Sequence, residues 1–96
     1  MIESFADRLA EDLFDNRRSK AVLRFPPGLI RTARRKLLYL HDASEIGDLR
    51  EPPGNRLEAL KGQWKGFHSI RVNEQWRVVF RWHDGNAYEV QVIDYH

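Results

Sequence analysis

The pattern of apolar and polar positions divides the chain into a helical first half and a second half of β-strands. Apolar residues at helical spacing predict a short helix with Asp7 as its N-cap and a longer amphipathic helix from about Leu29 to Asp42. Prolines and glycines at 26–28 and 52–54 predict connections, so we expect no regular element within residues 15–28. Residues 1–5 suit either a strand or the lead-in to the first helix.

The second half is rich in β-branched and aromatic residues, which favour strands. Asn73-Glu74 offers a turn, and Asp84-Gly85 is a strong signal for a two-residue hairpin loop. Helices followed by an antiparallel meander predict an α+β fold. The predicted strands are 56–61, 67–72, 76–82 and 87–95.

A two-residue loop at Asp84-Gly85 also fixes which side chains share a face of the hairpin. The resulting pairs are Trp82–Ala87, Phe80–Glu89, Arg77–Val92 and Gln75–Asp94. Alternation then places an apolar row on the face that receives the helices, consisting of Trp76, Val78, Phe80, Trp82, Ile93 and Tyr95. The opposite face receives Arg77 and Asp94 as diagonal neighbours, with His96 at the open end of the strand. A three-residue loop would reverse this assignment.

An arginine, a carboxylate and a histidine on one sheet face are groups that RNA cleavage can use. Attack by the RNA's own 2′-hydroxyl needs a base for that hydroxyl, an acid for the leaving oxygen and positive charge at the phosphate. Histidine titrates near neutrality, a carboxylate accepts a proton, and arginine binds phosphate. The alternative is an exposed strand end where polar residues are ordinary, and the spacing leaves both interpretations open.

Composition bounds the class of protein. With 96 residues the chain makes a single domain over 1–96. The absence of cysteine excludes disulfides and a thiol nucleophile. Since no apolar run approaches the roughly 18–20 residues needed to cross a bilayer, and no signal peptide opens the chain, we expect a cytoplasmic protein that does not contact membranes. The spacing of histidines and acids predicts no metal site, and no motif predicts a cofactor.

The net charge of +2 conceals basic blocks. Residues 17–36 carry eight cations and no acid, and residues 61–82 carry five cations against one acid. This asymmetry favours an electropositive side. Arg31, Arg34 and Arg35 gather on one arc of the longer helix, where they form either a solvated face or a surface for phosphates.

Several motifs resemble the HigB-type branch of the RelE/ParE toxin superfamily. They are the stretches Pro52 to Gly62, Gly66 to Asn73 and Gln75 to Phe80, and the terminal Asp94-Tyr95-His96. The resemblance covers essentially the whole chain. It implies a compact RelE-like, microbial-RNase-type fold, with N-terminal helices packed on a small, mainly antiparallel sheet.

The function implied by this resemblance is that of a toxin of a type II toxin–antitoxin system. Such a toxin is a ribosome-dependent endoribonuclease that cleaves translated mRNA without metal or cofactor. The implied partners are a HigA-type helix-turn-helix antitoxin, the 70S ribosome and mRNA, while operator DNA is reached only through the antitoxin.

The resemblance also implies roles for individual residues. Arg77 would stabilise the scissile phosphate, and the acid/base and positioning cluster would be Asp94, Tyr95 and His96. Contacts to RNA phosphate would come from Lys61, Arg71 and Arg56. We assign ribosomal RNA contact to Lys20, Arg24, Arg31, Arg34 and Arg35.

Glu58 departs from the family pattern, because relatives carry a catalytic histidine at this position. Glu58 either serves as general base with His96 as acid or takes no part in the reaction. Tyr95 falls on the face opposite Asp94 and His96 in the predicted register, so it either joins them through a twist of the strand end or only braces the site.

Two further functions stay open from the sequence. One is a ParE-like toxin that inhibits DNA gyrase by binding, without nuclease chemistry, although Arg77 and the terminal Asp-Tyr-His weigh against it. The other is a binding module whose basic face serves an acidic partner.

Overall fold

A computed structural model describes residues 1–95 of the chain, and His96 lies outside the described residues. Within this range the helices are α1 (Arg8–Phe14), α2 (Lys20–Arg24) and α3 (Ile30–Asp42). The strands are β1 (Glu58–Ala59), β2 (Phe67–Arg71), β3 (Trp76–His83) and β4 (Asn86–Asp94). They form one antiparallel sheet in the order β1-β2-β3-β4, which confirms the predicted α+β class. Short 3-10 turns connect these elements at Pro27–Leu29, Ile46–Arg50, Pro53–Asn55 and Gly62–Trp64.

The two predicted helices form close to their expected bounds. Asp7 caps α1, since its Oδ1 accepts a hydrogen bond from the amide of Ala10 at 2.8 Å. The apolar stripe of α3 buries Ala33, Leu37 and Leu40 completely. These elements confirm the helical periodicity read from the sequence.

Helix α2 corrects the expectation that residues 15–28 hold no element. Ser19 caps it, because the Ser19 Oγ accepts from the Val22 amide at 3.3 Å. Val22 and Phe25 are buried in the core. A helix of five residues is too short to show a periodic pattern, and tertiary packing rather than propensity stabilises it.

The amino-terminal residues run alongside β4. Ile2 bridges to Ala87 and Phe5 to Val90, both in parallel orientation. This segment therefore covers part of the edge of β4 that would otherwise present unpaired backbone groups. Of the two expectations for residues 1–5, the structure selects a short strand-like partner that leads into α1.

The main core lies between the helices and one face of the sheet. Its fully buried side chains include Leu13 from α1, Leu37 from α3, and Phe80 and Val90 from the sheet. The predicted apolar row of β3 faces this core, with Trp76 and Trp82 packed at its margins. In the part of the chain that the structure describes, no helix is long and apolar enough to cross a membrane.

The β3–β4 hairpin begins in the predicted register and then leaves it. Asp84 and Gly85 form the expected two-residue turn, with φ of 49° and 78°. The pairs His83–Asn86 and Trp82–Ala87 follow as predicted. Beyond them a β-bulge at Glu89, where φ is 52°, adds one residue to β4. The predicted pairs Phe80–Glu89, Arg77–Val92 and Gln75–Asp94 are therefore wrong, and the observed pairs are Val79–Gln91, Val78–Val92, Arg77–Ile93 and Trp76–Asp94.

This bulge reverses the faces of the last residues of β4. Val92, predicted to face outward, is buried in the main core. Ile93 and Tyr95, predicted to face the helices, lie on the other side of the sheet. The first strand is also shorter than predicted, with only Glu58 and Ala59 paired rather than the whole of 56–61.

Candidate active site

The sheet face turned away from the helices, here called the open face, collects residues from three strands. Glu58 of β1 lies opposite Ser69 of β2, and Arg71 of β2 lies opposite Arg77 of β3. Because paired residues project to the same side of a sheet, the antiparallel register alone brings these four side chains together. Tyr95 joins them from the residue after β4.

Arg77 is the centre of this group. Its Nη1 donates to the Ser69 Oγ at 3.1 Å and lies 3.7 Å from the Glu58 Oε2. The Cζ of Arg77 lies 5.4 Å from the centroid of the Tyr95 ring. The side chain is only 18% exposed, compared with 50% for Glu58. Arg77 is thus held on three sides, and since both polar contacts use Nη1, its other N–H groups can serve a ligand.

A small apolar cluster supports the open face. Leu60, Phe67 and Val79 are buried there, and Trp64, Ile93 and Tyr95 pack against them. Trp64 meets the Phe67 ring edge-on at 5.2 Å between centroids. Trp64 therefore covers this cluster, and rigid apolar packing fixes the positions of the polar groups beside it.

The open face has a surplus of positive charge. The Arg71 Nε donates to the carbonyl oxygen of Asn73 at 3.1 Å, which anchors Arg71 at the β2–β3 turn beside Arg77. At the Arg77 end of this face, the guanidinium groups of Arg71 and Arg77 lie on the same side of the sheet as the carboxylate of Glu58. Paired guanidinium groups suit a phosphate, because each presents forked N–H donors to its oxygens.

Tyr95 and Asp94 exchange the faces that the sequence predicted for them. The bulge at Glu89 brings Tyr95 to the open face, in contact with Arg77. Asp94 pairs with Trp76 and so belongs to the other side at the end of β4, where its Oδ2 accepts from the Gln75 Nε2 at 2.8 Å. The predicted neighbourhood of Arg77 and Asp94 on one face is therefore wrong. The prediction for His96 falls outside the described residues.

Lys61 and Arg56 flank β1 on either side of Glu58. Lys61 is exposed and precedes the Gly62–Trp64 turn. Arg56 is exposed and adopts a left-handed conformation, with φ of 46°, just before the strand. Both are accessible to a long ligand, and their predicted contacts with RNA stay predictions.

His68 is a neighbour of the site in sequence but does not share its face. It pairs with Phe80, and the two rings stack with centroids 6.1 Å apart. Burial lowers the pKa of His68, which favours the neutral imidazole. We therefore assign His68 to the packing of the sheet rather than to catalysis.

The predicted basic arc lies in the helical layer. Arg31, Arg34 and Arg35 line a hollow of about 210 Å³ on α3. Lys20 and Arg24 are exposed on α2. The arc predicted for α3 is thus confirmed as a surface feature, in a different layer of the molecule from Arg77.

Ser69 is the residue that the sequence did not reveal. It is fully buried and its hydroxyl holds the Arg77 guanidinium. A small polar residue in the apolar strand Phe67–Arg71 was the available signal, but its partner is fixed only by the pairing of β2 with β3. Among residues 1–95 no three histidine, aspartate or glutamate side chains group as a metal site would need.

The fold resembles solved structures of other small proteins. YafQ from E. coli strain BL21(DE3) matches with a TM-score of 0.66 and 13% sequence identity, over 98% of this chain and 93% of YafQ. A chain of the YoeB-YefM complex from Staphylococcus aureus matches with a TM-score of 0.61 and 16% identity, over 100% and 98% of the two chains. Identities this low establish the fold alone, and they confirm the predicted RelE-like architecture of helices on a small antiparallel sheet.

Comparison of sequences identifies the family to which this fold belongs here. The HigB-like toxin family, described as the RelE-like toxin of type II toxin-antitoxin system HigB, matches residues 3–96. Toxin HigB-1 of Vibrio cholerae serotype O1 is 42% identical over 88 residues, which cover 91% of this chain and 90% of the relative. Endoribonuclease HigB of Proteus vulgaris is 32% identical over 96 residues, the whole of both chains.

The chain therefore belongs to the HigB-like family of toxins from type II toxin–antitoxin systems. This confirms the resemblance drawn from the motifs around Glu58, Arg77 and the terminal Asp-Tyr-His. Membership of a toxin–antitoxin family also gives the protein an antitoxin as its partner.

Proposed function

We propose that this toxin is a ribosome-dependent endoribonuclease that cleaves translated mRNA at the open face. The observation that carries the proposal is the geometry of Arg77, whose guanidinium is fixed by Ser69 and faces the Glu58 carboxylate at 3.7 Å. A preorganised cation beside a carboxylate matches the needs of phosphodiester cleavage. The name of the Proteus vulgaris relative, Endoribonuclease HigB, supports the same enzyme class.

The proposed reaction is an internal transfer at phosphorus. The 2′-oxygen of the RNA attacks the adjacent phosphorus while its proton passes to Glu58. The bond from phosphorus to the 5′-oxygen then breaks, and His96 donates a proton to that leaving oxygen. Arg77 stabilises the charge that develops on the phosphate oxygens. The products are a 2′,3′-cyclic phosphate and a free 5′-hydroxyl, and the step needs neither metal nor cofactor.

We assign the role of general base to Glu58 because of its position beside Arg77. Its carboxylate is half exposed and lies against the guanidinium that would hold the phosphate. A proton acceptor next to the bound phosphate is within reach of the adjacent 2′-hydroxyl. Tyr95 packs on Arg77 and is proposed to position it. Asp94 lies beside Gln75 at the end of the sheet, and its proposed role is to help position the substrate there.

The ribosome is proposed to supply the orientation of the substrate, which a small open face does not provide. We propose that it orients the mRNA over Arg77, so that the protein adds chiefly electrostatics and proton transfer. The exposed Lys20, Arg24, Arg31 and Arg35, with the partly buried Arg34, are proposed to contact ribosomal RNA phosphates. An activity on translating ribosomes would place the protein in the cytoplasm.

The antitoxin is proposed to be a HigA-type helix-turn-helix protein. The family description, toxin of a HigB system, supports this identity. A heterotetrameric YoeB-YefM toxin-antitoxin complex shows that a protein of this fold assembles with its antitoxin. Operator DNA would then be bound by the antitoxin and not by the basic surfaces of this chain.

The test is cleavage of a defined mRNA on purified 70S ribosomes, with the 5′ ends mapped. The variants are Arg77→Ala, Glu58→Gln and His96→Ala, and the matched control is Arg50→Ala, an exposed arginine outside the sheet. We expect cuts in phase with codons for the wild type and the control, and a loss of about 100-fold or more for Arg77→Ala. Glu58→Gln separates the two readings of Glu58, since a spectator would leave the rate unchanged.

Four results would overturn the proposal. Cleavage of free mRNA at the same rate as on ribosomes would exclude ribosome dependence. Full activity of Arg77→Ala would remove the proposed centre of the site. Growth arrest with intact mRNA and inhibited DNA gyrase would favour the ParE-like alternative, and no toxicity at all would leave a binding module.

A further inference from the structure

A second site lies on the open face at the other end of β3 from Arg77. A cavity of about 500 Å³ opens there, lined among others by Gly66, Arg81, Trp82, Tyr88 and Glu89. Arg81 and Arg77 project to the same side of β3, four residues apart, which separates them by about 13 Å. None of the residues of this cavity takes part in the reaction proposed above.

The Arg81 guanidinium is fixed in the wall of the cavity. Its Nε lies 2.8 Å from the Glu89 Oε2, and its Cζ lies 4.1 Å from the centroid of the Phe67 ring. Gly66 makes room for it, because a Cβ at Gly66 would stand 2.9 Å from the Arg81 Nη1. A guanidinium held in this way loses little conformational freedom when it binds a ligand.

Glu89 reaches Arg81 only because the backbone of β4 is bent. Regular alternation would turn Glu89 away from the face that carries Tyr88, but the bulge with φ of 52° redirects it. The Glu89 amide donates to the Ser4 Oγ at 2.9 Å, which holds the bulge. An exposed ion pair repays little of the strain of a left-handed glutamate, so stability does not account for this arrangement.

The pair of charges defines the chemistry of a ligand. Arg81 offers N–H donors next to the carboxylate of Glu89, which accepts. Guanine matches this set, because O6 and N7 accept from a guanidinium while its ring N–H and amino group donate to a carboxylate. Tyr88, which pairs with Arg81 across β3 and β4, supplies an aromatic surface on which a nucleobase can stack.

We propose that this cavity binds a guanine base of the RNA substrate, a few nucleotides from the phosphate held by Arg77. The proposal rests on the function proposed above and adds to it a residue pair that selects where cleavage occurs. Arg81 and Glu89 are the specificity residues, and Gly66 and the bulge position them.

The test measures nucleotide binding directly and needs no cleavage. The purified protein is titrated with GMP, AMP, CMP and UMP, and backbone and indole resonances are followed by NMR. GMP is expected to bind most tightly and to shift the signals of Gly66 and Trp82. Glu89→Gln is expected to weaken GMP binding by about tenfold or more. The matched control Glu74→Gln, an exposed carboxylate in the β2–β3 turn, should bind GMP like the wild type.

Mapped cut sites on ribosomes give the second readout. Wild-type and Glu74→Gln proteins should cut at a fixed distance from a guanine, and Glu89→Gln should lose that preference. Equal binding of the four nucleotides, GMP shifts confined to other residues, or unchanged GMP binding by Glu89→Gln would each overturn the proposal. GMP binding without any cleavage would instead refute the proposed function and leave the guanine site standing.

Discussion

Replacing Ser69 by alanine tests the positioning of Arg77 most directly. Ser69 is fully buried, and its Oγ accepts from the Arg77 Nη1 at 3.1 Å. The same nitrogen lies 3.7 Å from the Glu58 Oε2. Alanine removes only the hydroxyl, so the strand keeps its packing, but the guanidinium is then held on its polar side by Glu58 alone.

The size of the effect follows from these contacts. A hydrogen bond to a charged group contributes about 1.5–3 kcal/mol. Because Arg77 is still 18% exposed and keeps its contact with Glu58, water and that carboxylate compensate in part. We therefore expect the lower end of the range, about 1.5–2 kcal/mol in the transition state, which corresponds to a loss of roughly 10- to 30-fold in rate.

The assay is single-turnover cleavage of mRNA on ribosomes, with folding checked by circular dichroism and urea unfolding. Ser69→Ala is expected to lower kcat more than it raises KM, and Ser69→Thr, which keeps an acceptor oxygen, to recover most of the rate. The double variant with Glu58→Gln should lose more than the two single losses predict, since each group compensates for the other. A folded Ser69→Ala protein with the wild-type rate would refute the positioning role.

The remaining predictions concern stability, measured by urea unfolding. Asn55→Ala should lower the free energy of unfolding by about 3 kcal/mol. The buried Asn55 Oδ1 accepts from the Lys36 Nζ at 2.6 Å, and its Nδ2 donates to the Leu49 carbonyl at 3.1 Å. A loss below about 1 kcal/mol would contradict this. Burial lowers the pKa of His68 beneath its ordinary value of 6.5, so below pH 6.5 the unfolded state takes up the proton more readily and acid destabilises the fold. His68→Phe should flatten that decline between pH 7.5 and 5, and an identical pH profile would argue against it. Gly66→Ala should lower the free energy of unfolding by more than about 1 kcal/mol, because the φ of Gly66 is 94° and the new Cβ would clash with Arg81. Part of that cost should disappear in an Arg81→Ala background, and equal costs in both backgrounds would exclude the clash.

The site shows where prediction from the sequence stops. The motifs selected Arg77, Glu58 and Tyr95, and the structure groups these three on one face. The contact of Ser69 with Arg77 needed the pairing of β2 with β3, which no local pattern specifies. Asp94 was assigned to the wrong face because the predicted hairpin register continued without interruption.

What the sequence determined by itself is local. The cap at Asp7, the apolar stripe of α3 and the turn at Asp84-Gly85 each depend on side-chain and backbone preferences within a few residues. These preferences are strong enough to act without help from the rest of the chain, and they were sufficient for the fold class.

What only the tertiary structure decided depends on contacts between distant residues. The bulge at Glu89 is held by Ser4, 85 residues earlier in the chain, and it brings the Glu89 side chain to Arg81 on the neighbouring strand. A left-handed backbone conformation is unfavourable for glutamate, so no sequence pattern around Glu89 predicts the bulge. Yet this one extra residue reverses every later side chain of β4 and brings Tyr95, rather than Asp94, to Arg77, because the side-chain period of a strand is two.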